Sequence, residues 1–92
     1  MKPVTYTQNP RTAGRVIDGT AFVVTPHDNK LHTLNGTATF VWTLAEADVT
    51  LDQIALALTS RFRVELPRAR SDAAEFVASL CTRGILTERK PA

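Results

Sequence analysis

Two histidines and one cysteine are the side chains in this sequence best suited to metal binding or nucleophilic chemistry. His27 and His32 are five positions apart, and no cluster of further ligands accompanies them. Because a zinc site needs a larger set of ligands, the sequence predicts no metal site. Cys81 follows an apolar residue in a helical segment, and neither histidine is placed to activate it. We therefore expect Cys81 to be a half-buried structural thiol.

The remaining polar patterns also fail to make a catalytic set. Asp72 and Glu75 are three positions apart near the start of a helical segment, where carboxylates commonly compensate the helix dipole. Residues 36–39, Gly-Thr-Ala-Thr, lack both the glycine spacing and the Lys-Ser/Thr ending of a phosphate-binding loop. The sequence thus predicts a protein that is not an enzyme and that carries no cofactor.

Length and composition indicate one globular domain over residues 1–92. Apolar residues make up 43% and charged residues 22% of the chain, which is ordinary for a domain with its own core. A formal net charge of +2 is too small to indicate a nucleic-acid partner by itself. We expect a cytoplasmic protein with no membrane partner, since there is a single cysteine, no signal-like start and no apolar run of about 20 residues.

Two short segments rich in β-branched and aromatic residues, 15–17 and 21–24, predict strands, and residues 30–34 are expected to return as a third antiparallel strand. Asp18-Gly19 separates the first two segments and predicts a type I′ hairpin turn, which needs positive φ at both positions. Residues 26–29, Pro-His-Asp-Asn, predict the next turn. Residues 1–11 are polar and contain two prolines, so we expect a loosely ordered arm.

Apolar residues at helical spacing predict three helices over about residues 36–47, 51–62 and 68–83. Asn35 is the expected N-cap of the first, and Thr50 with Gln53 fits a capping box for the second. Pro67 is expected to stop a helix from crossing it, and Gly84 fits the left-handed position after the third. The predicted fold is α+β and winged-helix-like, with a three-stranded antiparallel sheet followed by a three-helix bundle.

The third predicted strand, residues 30–34, lies at the edge of such a sheet and leaves one row of backbone groups unpaired. Lys30 is its only charged residue, although natural edges are usually protected by charge or proline. An open edge beside an apolar helix suits the addition of a peptide strand. A plain edge, covered by the N-terminal arm or by a second copy in a homodimer, is the alternative. These residues alone do not decide between the two.

DNA binding is a further alternative, because four arginines surround the turn before the third helix: Arg61, Arg63, Arg68 and Arg70. A winged helix can place such a cluster on DNA phosphates. The outer face of the third helix, which would enter the groove, carries Asp72, Glu75, Ser79 and Arg83. It is therefore mixed or acidic, whereas a helix that reads a DNA groove should be basic. Nucleic acid is therefore the weaker hypothesis.

Three motifs carry a resemblance to a known family. Residues 34–38, Leu-Asn-Gly-Thr-Ala, with Val41-Trp42, are similar to the signature Leu-Asn-x-Thr/Ser-Ala-x-x-Ile-Trp of the PqqD-like family. Residues 50–55 with Leu58 resemble its second helix. Its closing segment is matched by Asp72, Phe76-Val77, Leu80 and Gly84-Ile85-Leu86. The motifs occur in the order and spacing of the family, and together they cover about residues 13–87.

The resemblance implies a recognition element for ribosomally synthesised and post-translationally modified peptides (RiPPs). In such domains the leader segment of a precursor peptide adds as a strand to the third strand, in a groove walled by the third helix. The domain has no catalysis of its own. It presents the precursor to a modifying enzyme, such as a radical-SAM enzyme or a cyclase, or to a leader peptidase.

Carried onto this chain, the resemblance implies a docking edge and a facing wall. The edge comprises Lys30, Leu31, His32, Thr33 and Leu34, and the wall is drawn from Asp72, Ala73, Phe76, Val77 and Leu80. Two positions depart from the family pattern. Leu31-His32 stands where an aromatic residue is frequent, and Ala73 stands where a larger aliphatic residue is usual, so leader preference is not carried over.

Overall fold

The computed structural model describes residues 3–90 of the chain as five strands and three helices. In chain order these are β1 (Thr5–Gln8), β2 (Ala13–Ile17), β3 (Thr20–Thr25), β4 (Lys30–Thr33), α1 (Gly36–Leu44), α2 (Leu51–Phe62), α3 (Leu66–Thr82) and β5 (Leu86–Arg89). Strands β2, β3 and β4 form an antiparallel sheet in that order, and β1 and β5 form a separate antiparallel pair. The predicted α+β fold with a three-stranded sheet and three helices is confirmed.

Local turn chemistry sets the register of the β2–β3 hairpin. Asp18 and Gly19 have φ values of 51° and 77°, as a type I′ turn requires. Ile17 consequently pairs with Thr20, and the pairing continues to Ala13 opposite Val24. Positive φ at Asn29, 56°, closes the turn into β4 in the same way.

The capping residues begin α1 and α2 as predicted. The Asn35 side chain accepts a hydrogen bond from the N–H of Ala38 at 2.8 Å. At α2, the Thr50 hydroxyl accepts from the Gln53 N–H, and the Gln53 side chain accepts from the Thr50 N–H, which completes the capping box. Helix α1 ends at Leu44, three residues before the predicted end.

The expectation that Pro67 precedes the third helix was wrong, because Pro67 lies within its first turn. The first N–H groups of a helix have no intrahelical acceptor, so a residue without an N–H loses nothing there. The end of α3 follows the prediction. Gly84 has φ 78°, and the N–H groups of Gly84 and Ile85 donate to the carbonyls of Cys81 and Leu80.

The loosely ordered arm predicted for residues 1–11 is corrected by the structure, although residues 1 and 2 lie outside the described part of the chain. Strand β1 pairs with β5 from Thr5 opposite Arg89 to Gln8 opposite Leu86. Tyr6 also exchanges backbone hydrogen bonds with Val49, at 2.7 and 3.0 Å. The N-terminal segment is therefore attached to both the loop after α1 and the C-terminal strand.

One hydrophobic core joins the inner face of the β2–β4 sheet to all three helices. Ala21, Val23 and Thr25 of β3 are fully buried, and the intervening side chains face outward. The buried apolar residues are Ala21, Val23, Leu34, Ala38, Val41, Trp42, Ala45, Ile54, Ala55, Leu58, Ala69, Ala73, Val77, Leu80, Ile85 and Leu86. Leu34, at the end of β4, belongs to this core, so the end of β4 packs against the helices.

Gly14 is expected to be intolerant of a side chain because it lies against the Trp42 ring. A Cβ atom at Gly14 would meet Trp42 Cζ2 at 2.7 Å and Val23 Cγ2 at 3.1 Å. We expect Gly14→Ala to lower the free energy of unfolding by about 1–3 kcal/mol through overpacking. Gly36→Ala is the matched control, since a Cβ atom at Gly36 would meet nothing within 4 Å. Urea unfolding gives the free energy of unfolding of both variants. Equal values for Gly14→Ala and Gly36→Ala would contradict the packing of Gly14 on Trp42.

Candidate functional site

Strand β4 is an end strand of its sheet, and no other strand within the described residues 3–90 pairs with its outer backbone edge. The Leu34 N–H donates to the Ala21 carbonyl at 2.9 Å, so the backbone groups of Leu34 face β3. Backbone groups of successive residues in an antiparallel pair point to opposite sides. The N–H and C=O groups of Leu31 and Thr33 therefore point away from β3, where they can pair with an added strand.

An open cavity of about 370 Å³ lies beside the end of this edge. Its lining comes from the end of β4, the start of α1 and one side of α3: Thr33, Leu34, Asn35, Ala38, Glu75, Phe76, Ser79, Leu80 and Arg83. Phe76 and Leu80 are half-buried and buried, whereas Glu75, Ser79 and Arg83 are exposed. The cavity thus has an apolar floor and a polar rim, and the free backbone groups of Thr33 lie next to it.

Thr39 fixes the end of β4 against β3 and was not identified from the sequence. Its hydroxyl accepts a hydrogen bond from the Ala21 N–H at 2.9 Å and donates to the Leu34 carbonyl at 3.2 Å. Only 7% of Thr39 is exposed. The first turn of α1 consequently holds the strand end that borders the cavity.

A second polar cluster holds the turn at the start of β4. The Thr25 hydroxyl, which is fully buried, donates to the Asp28 carboxylate and lies 3.0 Å from His32 Nε2. This hydrogen bond lowers the pKa of Asp28 below its ordinary value. His27 Nε2 lies 3.8 Å from the same carboxylate. Both histidines therefore have structural contacts, and in residues 3–90 no group of three or more potential metal ligands is found.

The structure brings four of the ten predicted site residues to the cavity, namely Thr33, Leu34, Phe76 and Leu80. The other three predicted edge residues, Lys30, Leu31 and His32, belong to β4 but do not line the cavity. Lys30 and Leu31 are exposed, with Leu31 63% accessible on the outer face, and His32 is half-buried.

The other three predicted wall residues lie away from the cavity. Ala73 and Val77 are 0% and 4% exposed and belong to the core, and Asp72 lies 3.8 Å from Arg68 as an ion pair. Five lining residues were not predicted: Asn35, Ala38, Glu75, Ser79 and Arg83. The helical spacing of Glu75, Ser79 and Arg83 was the available signal, since positions four apart share one side of a helix.

The arginine cluster proposed for DNA binding is partly neutralised. Arg68 pairs with Asp72, and Arg70 lies 3.6 Å from Asp52 of α2. The Arg61 guanidinium lies over the Phe62 ring, 5.1 Å from its centroid. The structure gives no support to a DNA-binding surface at this turn.

Cys81 is half-buried on α3, as expected, and burial raises the pKa of its thiol. Because the thiolate is the reactive form, iodoacetamide at neutral pH should modify native Cys81 at least about tenfold more slowly than the urea-unfolded chain. Mass spectrometry of timed, quenched samples measures both rates, with a free-cysteine peptide as the control in each solvent. Equal rates in native and unfolded protein would contradict the buried position.

Fold and site together define a class of small α+β domain, in which an open sheet edge borders a cavity walled by the last helix. The family model described as coenzyme PQQ synthesis protein D (PqqD) matches residues 20–86. This match covers more than half of the chain, and the protein therefore belongs to the PqqD family. The resemblance found in the sequence is confirmed. No curated protein matches the sequence.

Similar solved structures include two proteins bound to leader peptides. TbiB1 in complex with the TbiA(beta) leader peptide has a TM-score of 0.82 at 16% identity, over 92% of this chain and 99% of that one. Lasso peptide synthetase B1 complexed with the leader peptide has a TM-score of 0.77 at 23% identity, over 89% and 96%. At these identities, the likeness establishes the shared fold.

A third similar structure is the PqqD truncation of Methylobacterium extorquens PqqCD, described as a functional, stand-alone RiPP recognition element. It has a TM-score of 0.71 at 18% identity, over 90% of this chain and 88% of that one. No helix within residues 3–90 of the present chain has the length and apolar character needed to span a membrane.

Proposed function

We propose that this protein binds the leader segment of a ribosomally synthesised precursor peptide as an added strand on β4 and presents it to a modifying enzyme. The observation that supports this most strongly is the position of the free backbone groups of Thr33, in line with those of Leu31 along β4, beside the cavity floored by Phe76 and Leu80. An open edge supplies main-chain hydrogen bonds, and an adjacent apolar cavity supplies side-chain selectivity.

The sheet has a second open edge, at β2, which suits this role less well. All five residues of β2 are exposed, so a strand added there would lie in solvent. A strand added to β4 would place its inward-facing side chains against α3. Because this removes apolar surface from water on both partners, addition at β4 is favoured over addition at β2.

In this proposal, seven of the ten predicted site residues have distinct tasks. Leu31 and Thr33 supply backbone hydrogen bonds, while Thr33, Leu34, Phe76 and Leu80 contact the leader. Ala73 and Val77 support the wall from the core. The domain itself, taken as residues 1–92, has no catalytic role, needs no cofactor and works in the cytoplasm. The partner is a radical-SAM enzyme, a cyclase or a leader peptidase acting on the bound precursor.

An NMR titration tests the proposal. Short reading frames encoded beside the gene supply candidate leaders, which are synthesised and added to the ¹⁵N-labelled protein. We expect amide shifts at Leu31 and Thr33 and along the cavity side of α3, with the β2 amides unchanged. Absence of shifts with every such leader, or shifts confined to β2, would overturn it. Sedimentation without peptide separates this from edge-to-edge pairing of two copies, which would use the same backbone groups.

A further inference from the structure

The rim of the cavity carries opposite charges at its two ends. Glu75, Ser79 and Arg83 follow one another at four-residue intervals along α3, and all three line the cavity. Eight residues of helix rise about 12 Å, so the carboxylate and guanidinium mark separate ends of the groove. None of the ion pairs found in residues 3–90 includes Glu75 or Arg83, whereas Arg68, Arg70 and Arg89 each pair with an aspartate.

The direction of α3 relative to β4 follows from the contact between Gly84 and His27. A Cβ atom at Gly84 would lie 2.5 Å from the His27 ring, so the end of α3 lies next to the turn before β4. Arg83 is therefore near the start of β4, where Lys30 adds a second exposed positive charge. Glu75, two turns earlier on α3, lies toward the other end of the groove.

A strand added antiparallel to β4 enters the groove near Glu75 and leaves it near Arg83 and Lys30. Its inward-facing side chains are two positions apart, and four residues of strand span about 13 Å. This length matches the separation of Glu75 and Arg83 along α3. A residue midway between the two ends would lie over Phe76 and Leu80.

Resting on the proposed function, we infer that the groove selects a leader segment with the order basic–x–apolar–x–acidic from N- to C-terminus. The basic side chain pairs with Glu75, the apolar side chain fills the floor, and the acidic side chain pairs with Arg83 and Lys30. Charge pairs at an exposed rim contribute modestly to affinity. A peptide of reversed charge order would replace both pairs with like-charge contacts, and its affinity would be lower. The charges thus set the register and direction of the bound strand.

Selection from a displayed random-peptide library tests this order with two forms of the protein. The wild type should enrich the basic–x–apolar–x–acidic pattern. A variant with Glu75→Arg, Arg83→Glu and Lys30→Glu should enrich the reverse charge order around the same apolar position. Both forms should fold equally well, since the three side chains are exposed. Fluorescence anisotropy of selected peptides at low salt should show a three- to tenfold preference for the matched order, reduced by added salt.

The outcomes separate this inference from the proposed function. Peptides selected without a charge order, or the same order selected by both forms, would overturn the inference while leaving peptide binding intact. Enrichment of the reverse order by the wild type would overturn the antiparallel orientation on which it depends. Failure of both forms to enrich any peptide, together with failure of the encoded leaders to shift the β4 amides, would overturn the proposed function itself.

Discussion

Replacing Thr33 by proline is expected to weaken leader binding by about tenfold or more. Proline removes the Thr33 N–H, which points away from β3 and would donate to the added strand. Its ring also occupies part of the space into which that strand must fit. A lost hydrogen bond contributes about 1 kcal/mol and the steric effect adds to it, which accounts for the expected factor.

Val16→Pro is the matched control on the opposite edge of the sheet. Val16 pairs with Ala21, whose carbonyl is bonded to Leu34 on the β4 side. The Val16 N–H therefore points away from β3, as the Thr33 N–H does, and proline is tolerated at such edge positions. Isothermal titration calorimetry should show wild-type affinity for Val16→Pro. Equal loss of affinity in both variants would show that the proline effect is not specific to β4.

Thr39→Val is expected to lower the free energy of unfolding by about 2–3 kcal/mol. Valine keeps the shape of threonine but leaves the Ala21 N–H and the Leu34 carbonyl without their side-chain partner. Each buried polar group left unsatisfied costs about 1–3 kcal/mol. Because Leu34 borders the cavity, the same change should weaken leader binding at temperatures where the variant is still folded.

Thr43→Val, one turn later on α1, separates loss of this contact from a general effect of valine in the helix. Thr43 is an exposed residue whose hydroxyl donates to the Thr39 carbonyl, so removal of the hydroxyl should change the free energy of unfolding by less than about 0.5 kcal/mol. Chemical unfolding of both variants gives the comparison. If Thr39→Val were as stable as Thr43→Val, the buried hydrogen-bond pair would not be what holds β4.

The features predicted correctly from the sequence depend on chemistry between neighbouring residues. Asp18-Gly19 specifies its turn, Thr50 with Gln53 specifies a helix start, and Gly84 specifies a helix end, each within a few positions. The position of the third predicted strand at the sheet edge follows from such turns, because two successive hairpins leave β4 outermost.

The features that were missed depend on partners far along the chain. Strand β1 is polar in sequence, and it is ordered by pairing with β5, about eighty positions later. No local pattern in residues 5–8 specifies that partner, so polarity and two prolines suggested a loose arm. Thr39 was missed for the same reason, since its hydroxyl joins Ala21 and Leu34 only in the folded protein.

The predicted wall residues all belong to α3, but only Phe76 and Leu80 of them line the cavity. Ala73, Phe76, Val77 and Leu80 form one apolar stripe in the sequence, and the pattern does not tell which margin of the stripe meets the sheet edge. In the structure, Ala73 and Val77 pack into the core, and the margin formed by Phe76 and Leu80 borders the cavity. The exposed row beside that margin supplies the charges on which leader selection is proposed to depend.

Amide hydrogen exchange at the two sheet edges tests the central claim most directly. Within residues 3–90, the Leu31 and Thr33 N–H groups have no strand partner. In the free protein they should exchange rapidly, as should those of Gly14 and Val16 on β2. With a saturating encoded leader, we predict strong protection of the Leu31 and Thr33 amides and no change at Gly14 and Val16. A bound leader that leaves Leu31 and Thr33 unprotected would contradict strand addition at β4.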